Sequence, residues 1–130
     1  MKLGDLVQTG DWKGEKHVPV IDAPDHVKAG EAFKVEFCVG KEIAHPNTAA
    51  HHIDWIKLFF VAEGSKFAVE LSSANFVVHG DSADAANPGP AFADPFGSVT
   101  LKLSKSGTLI AQSYCNLHGL WESSKAITVA

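Results

Sequence analysis

The chain has 130 residues, 45% of them hydrophobic and 20% charged, with a formal net charge of −4 and a mean hydropathy of +0.02. That length suits one domain with a real core, and the composition excludes a disordered or fibrous chain. All 11 basic residues are lysine, which argues against nucleic-acid binding, because guanine and phosphate recognition lean on the arginine fork. No apolar run approaches the roughly 20 residues that span a bilayer.

Residues 1–14 are rich in glycine and charge and read as an N-terminal arm, with room for one short helical turn and Trp12 as an anchor. The start, Met1-Lys2-Leu3-Gly4-Asp5, lacks a secretory-type apolar run, so the expected location is cytoplasmic. The remainder, and with it residues 1–130 as a whole, reads as a single domain. Glu15-Lys16-His17-Val18-Pro19-Val20-Ile21 sets two ligand-capable side chains around a cation, and Pro24, Asp25 and Gly30 mark turns. From Glu31 to Val39, Phe33, Val35, Phe37 and Val39 alternate with Ala32, Lys34, Glu36 and Cys38, a period-2 pattern with one apolar face. Cys38 is expected to be a small buried core residue.

Residues 40–50 form a loop around Gly40, Pro46 and Asn47. A long strand is predicted from His51 to Ala62, another from Lys66 to Leu71, and a short one from Asn75 to His79. Residues 80–97, with three prolines, read as an irregular surface loop. Ser98 to Leu103 alternates again, and Lys105-Ser106-Gly107 turns into a strand from Thr108 to Tyr114. The last strand covers roughly Glu122 to Val129. About seven short strands with turns at intervals of roughly ten residues predict an all-β fold, an immunoglobulin-like antiparallel β-sandwich. A small barrel is the competing architecture.

Two cysteines do not make a disulfide framework in a chain of this size. Seven histidines are the compositional oddity. Cys115-Asn116-Leu117-His118 puts a thiol and an imidazole on a short connection between two strands, where a turn brings both to one side. His17, His45, His51, His52 and His118 are the other metal-ligand candidates, with Glu15 as a nearby carboxylate. His51 and His52 are adjacent and should point to opposite faces, so only one of them reaches a shared site. His26 and His79 read as surface or turn residues. A Glu-x-His, a His-x5-His and a Cys-x-x-His at strand ends or in loops point to one shared metal site. The residues alone leave copper, zinc and iron open.

Glu15-Lys16-His17-Val18-Pro19, Lys41-Glu42-Ile43-Ala44-His45-Pro46-Asn47-Thr48-Ala49-Ala50-His51-His52-Ile53 and Ser113-Tyr114-Cys115-Asn116-Leu117-His118-Gly119-Leu120-Trp121 resemble, in that order, the superoxide reductases of the one-iron class, the neelaredoxins. The four-cysteine rubredoxin-like domain that precedes this fold in desulfoferrodoxins has no counterpart here. The resemblance implies one mononuclear non-haem iron with His17, His45, His51 and His118 as equatorial imidazoles and Cys115 as axial thiolate. It implies a sixth position that is open in the ferrous state and that Glu15 can occupy in the ferric state, with Lys16 beside it. The implied reaction is one-electron reduction of superoxide to hydrogen peroxide, with rubredoxin or a similar small carrier as donor. A homo-oligomer, with a tetramer favoured, is a further expectation of the resemblance.

Two other readings compete. A blue-copper electron carrier is also a β-sandwich with a late Cys-then-His loop, but its weak axial methionine usually follows the histidine. The only methionine here is Met1, and His118 is followed by Gly119, Leu120 and Trp121. A structural zinc site is closed and four-coordinate, so five ligands and a carboxylate over-supply it.

Overall fold

The computed structural model describes residues 1–130. A single 3-10 turn, Leu3–Asp5, precedes eight strands: β1 (Val20–Asp22), β2 (His26–Val27), β3 (Phe33–Cys38), β4 (Ile53–Ala62), β5 (Val69–Asn75), β6 (Phe96–Leu101), β7 (Gly107–Cys115) and β8 (Gly119–Val129). They form a three-stranded sheet in the order β1-β3-β6 and a five-stranded sheet in the order β2-β8-β7-β4-β5. All pairings are antiparallel except β2 with β8. The predicted all-β sandwich is the observed architecture.

Period-2 alternation decides which side chains enter the core. Val35 and Phe37 of β3 face inward, as do Ile53, Ile56, Leu58 and Phe60 of β4, and Leu109, Ala111 and Cys115 of β7. With Val39, Phe76, Leu103 and Ile127 these residues make one continuous apolar cluster. Burying each large member contributes about 1.5–3 kcal/mol, enough to fix the strand registers. The alternation of β7 ends on Cys115, so the pattern that fills the core also delivers a thiol to its edge.

A bulge interrupts the β4–β7 ladder between Ile53 and Trp55, where Ile53 pairs with Cys115 and Trp55 with Tyr114. Asp54 is the extra residue, and a bulge of this kind re-aims side chains at a strand end. The turn from β7 to β8 is only Asn116 to His118, closed by Gly119 at φ 80°, a left-handed conformation that suits glycine.

The structure revises several expected boundaries. His51 and His52 precede β4 rather than opening it. The predicted strand 66–71 starts at Val69 and runs on to Asn75, because Ser65 and Phe67 are held in a turn by the Ser65 hydroxyl. The predicted strand 75–79 is absent: Phe76 donates its N–H to the Asp54 carbonyl, and His79 makes an isolated bridge to Phe92. β6 begins at Phe96, two residues early, and β1 and β2 occupy a stretch for which no strand is predicted. Cys38 is half-buried rather than a core residue. It falls on the face of β3 opposite Val35 and Phe37, as its alternation with Lys34 and Glu36 requires.

Candidate metal centre

The Cys115–His118 turn meets two other ligand-bearing segments at one end of the sandwich. Cys115 is fully buried, and the His118 backbone N–H points at its sulfur at 3.4 Å. His118 itself is exposed, and its Nδ1 lies 3.7 Å from the same sulfur. A tight turn with both groups on one side follows from the three-residue connection.

His17 arrives from the segment before β1. Its chain position is pinned by buried neighbours, Val18 and Val20, and by the Ser113 hydroxyl, which donates to the His17 carbonyl at 3.0 Å. Two side chains orient its ring. Glu15 Oε1 accepts from the His17 backbone N–H at 3.0 Å and lies 2.7 Å from Nδ1. Trp121, buried on β8, stacks on the imidazole with centroids 4.9 Å apart and planes 14° apart, and donates its indole N–H to the His118 carbonyl.

His45 and His51 lie on the irregular loop between β3 and β4. Gly40 at φ 87° admits the chain to that loop, and a Cβ there would come within 2.9 Å of the His45 nitrogen. The Pro46 carbonyl, 2.7 Å from His45 Nδ1, can only accept, so that nitrogen carries the proton and Nε2 keeps its lone pair. Reciprocal backbone bonds between Thr48 and His51 close the turn that presents His51.

Ligand atoms of His17, His45, His51 and Cys115 all lie within 4.8 Å of one another. His118 joins them, with Nδ1 3.1 Å from His17 Nε2. The four imidazoles close a ring, with successive centroids 4.8 Å (His17–His45), 4.7 Å (His45–His51), 4.9 Å (His51–His118) and 4.8 Å (His118–His17) apart. Neighbouring planes stand at 63–78° to one another. The diagonal His17–His51 measures 6.3 Å, longer than any edge. That is the pattern of a square; in a tetrahedron all six separations would be equal.

Two atoms show what the ring lacks. His45 Nε2 and His51 Nε2 are buried and have no hydrogen-bond partner. Each such orphan costs about 1–3 kcal/mol, and a metal ion between them removes both penalties at once. Burial pushes the His45 pKa down to about 4, opposed by its bond to Pro46 and reinforced by the charges of His17, His51 and Lys16. Burial also lowers that of His51, with His118, His17, Lys16 and His52 adding to the effect. Both rings are therefore neutral at pH 7, the form that ligates. Hydrogen bonding from His17 holds the Glu15 carboxyl below its ordinary value.

The structure brings together the side chains of His17, His45, His51, Cys115 and His118; Glu15, the other expected ligand, is not in the donor cluster but lies against Nδ1 of His17. Lys16 is half-buried and enters none of the five ion pairs of the chain. His52 turns the other way, as adjacency predicts, with Nε2 3.1 Å from Asp54 Oδ1. His79 corrects the surface-or-turn expectation: only 4% exposed, it stacks on His52. Its spacing gave no sign of that, whereas Asn116 sits inside the ligand motif and could have been found there. The Asn116 side chain accepts from the His52 N–H at 2.9 Å and donates to the Ala50 carbonyl at 3.0 Å, tying the His51 loop to the Cys115 turn.

Comparison with known proteins agrees with this geometry. Residues 9–124 match the desulfoferrodoxin family model. The neelaredoxin of Megalodesulfovibrio gigas is 50% identical over 129 residues, covering 99% of both chains. A crystal structure of a Thermotoga maritima protein superposes with a TM-score of 0.94 at 50% identity, covering 100% of this chain and 98% of that one. The superoxide reductase (neelaredoxin) of Archaeoglobus fulgidus in its reduced form gives a TM-score of 0.83 at 46% identity, covering 95% and 98%. No helix of the chain is long and apolar enough to cross a membrane. With a family model spanning nearly its whole length and half-identical relatives, the chain belongs to the desulfoferrodoxin family.

Proposed function

We propose that this chain is a superoxide reductase that holds one iron ion between His17 Nε2, His45 Nε2, His51 Nε2, His118 Nδ1 and Cys115 Sγ. The observation that carries this reading is the closed imidazole ring beside a buried thiol, with two of its buried nitrogens unpartnered. The square arrangement and five donors disfavour a closed tetrahedral zinc site. A blue-copper site fails for want of a methionine, since the chain has only Met1.

When bound, the iron supplies the electron that, with two protons, converts superoxide to hydrogen peroxide. The chain's own residues prepare that event. The His118 N–H aimed at the Cys115 sulfur draws charge from it and so sets its donor strength. The Pro46 carbonyl and the Glu15 carboxylate hold Nδ1 of His45 and His17, which leaves each Nε2 facing inward. Lys16, without an ion-pair partner and with a charge felt at His45 and His51, raises the local concentration of a small anion. Glu15 holds His17 through Oε1 at Nδ1, on the ring edge away from the donor cluster, and would have to leave that nitrogen to serve as a further donor in the oxidised state. The exposed side of the centre, at His118 and Leu117, suits a brief encounter with rubredoxin or a similar small electron carrier. A homo-oligomer, with a tetramer as its form, and a cytoplasmic location belong to the same proposal; the unpaired thiols of Cys38 and Cys115 suit a reducing compartment.

The test is stoichiometry. Reduced protein mixed with superoxide should yield one hydrogen peroxide per centre oxidised and no dioxygen. Dioxygen release in step with peroxide would mean dismutation, and an unreactive centre would reject the reading.

A further inference from the structure

Beneath the loop that carries His45 and His51 lies a second cluster: His52, Asp54 and His79. Its residue types suit a metal, but its geometry does not. The His52 and His79 rings are stacked, with centroids 3.6 Å apart and planes 6° apart. Lone pairs of parallel rings run side by side and cannot converge on one ion. All four ring nitrogens also face oxygen atoms already: Thr48 O at 2.8 Å and Asp54 Oδ1 at 3.1 Å for His52, Asn47 Oδ1 at 2.9 Å and Phe76 O at 2.7 Å for His79.

What those contacts hold is the loop. Residues 40–52 form no strand, so no ladder fixes them. Two of the oxygens, Asn47 Oδ1 and Thr48 O, belong to residues between His45 and His51. The Asn47 amide spans the gap to the next loop by donating to the Ala93 carbonyl at 3.1 Å. His79 is the buried member of the set, rigid in the chain through its bridge to Phe92 and its N–H bond to Asp81 Oδ2. A flat ring packed on His52, with one nitrogen on Asn47, fixes the ligand-bearing loop at its middle and at its C-terminal end.

We infer that His79 is a positioning residue of the metal centre, acting through Asn47 and His52 to hold His45 and His51 in the ring. The inference rests on the iron reading given above. Loss of a contact made directly to a ligand weakens metal retention by about 10- to 100-fold in metal sites generally, and His79, one residue further out, belongs at the lower end of that range.

The test is the rate at which a ferrous chelator strips iron from the loaded protein, alongside thermal melting of the metal-free form. His79→Phe keeps a flat ring against His52 and removes both nitrogens; Asn47→Ala removes the partner from a half-buried position. Each should release iron about 10-fold faster than wild type, and the double variant should fall short of the product of the two singles, since they share the His79–Asn47 bond. Ile127→Val, a core change on β8, is the stability control: its melting falls but its iron release should stay at the wild-type rate. Unchanged release in His79→Phe and Asn47→Ala would overturn the inference, as would equal acceleration in Ile127→Val. A wild-type protein that retains no iron would overturn the iron reading as well, and so is distinguishable from failure of the positioning role alone.

Discussion

Trp121 makes two contacts that can be separated by mutation. Its ring stacks on His17 at 4.9 Å, and its indole N–H reaches the His118 carbonyl at 3.2 Å. Trp121→Phe keeps an aromatic face and removes the hydrogen bond, which costs about 0.5–1.5 kcal/mol, at the low end because water reaches the exposed His118. Trp121→Ala removes both contacts and empties a site that is 8% exposed, a change worth about 3–5 kcal/mol. Urea unfolding of the metal-free protein should therefore order the midpoints wild type, then Phe, then Ala, with the larger step between Phe and Ala. Chelator challenge of the iron form should follow the same order, because the stack aligns one ligand and the bond another. Equal losses for Phe and Ala would show that the stack on His17 carries no weight, and would refute the argument.

Protons, cations and carboxylates offer separate checks. The His45 pKa is depressed to about 4 from 6.5, so its contribution to folding is present above pH 6.5 and lost as pH falls through 4. His51 acts in the same direction; stability of the metal-free protein should rise from pH 4 to 6.5, and a flat profile in denaturant titrations would contradict buried neutral rings. Lys16→Ala should slow the second-order reaction with superoxide several-fold in pulse radiolysis, with a larger deficit at low salt; an unchanged rate removes Lys16 from capture. Glu15→Ala should alter the spectrum of the oxidised form while leaving first encounter nearly intact, and an unaltered spectrum at every pH would count against its ligation.

The long strands were legible because their alternation is strict: Leu109, Ala111, Ser113 and Cys115 are all buried while their neighbours are not fully so. The centre was legible because its ligands lie in three short motifs, each on a turn or loop that the breakers Gly40, Pro46 and Gly119 announce. Short strands were not. β1 and β2 have three and two residues, and they exist because β3 and β8 lie alongside them, which no local pattern records. His79 was misplaced for a related reason. A glycine after it suggested a turn, but its burial depends on His52 and Asn47, 27 and 32 positions earlier in the chain, so the signal is tertiary. Cys38 follows its strand's alternation, which sets it beside Lys34 and Glu36, rather than the burial that its small apolar side chain suggests.

The metal held by the ring and the thiol decides the function. Metal analysis of the purified protein, combined with its visible spectrum after oxidation, addresses that directly. One iron per chain is expected, with a visible thiolate-to-iron(III) band that disappears in Cys115→Ser. Stoichiometric zinc with no such band, or an iron band that survives Cys115→Ser, would contradict it.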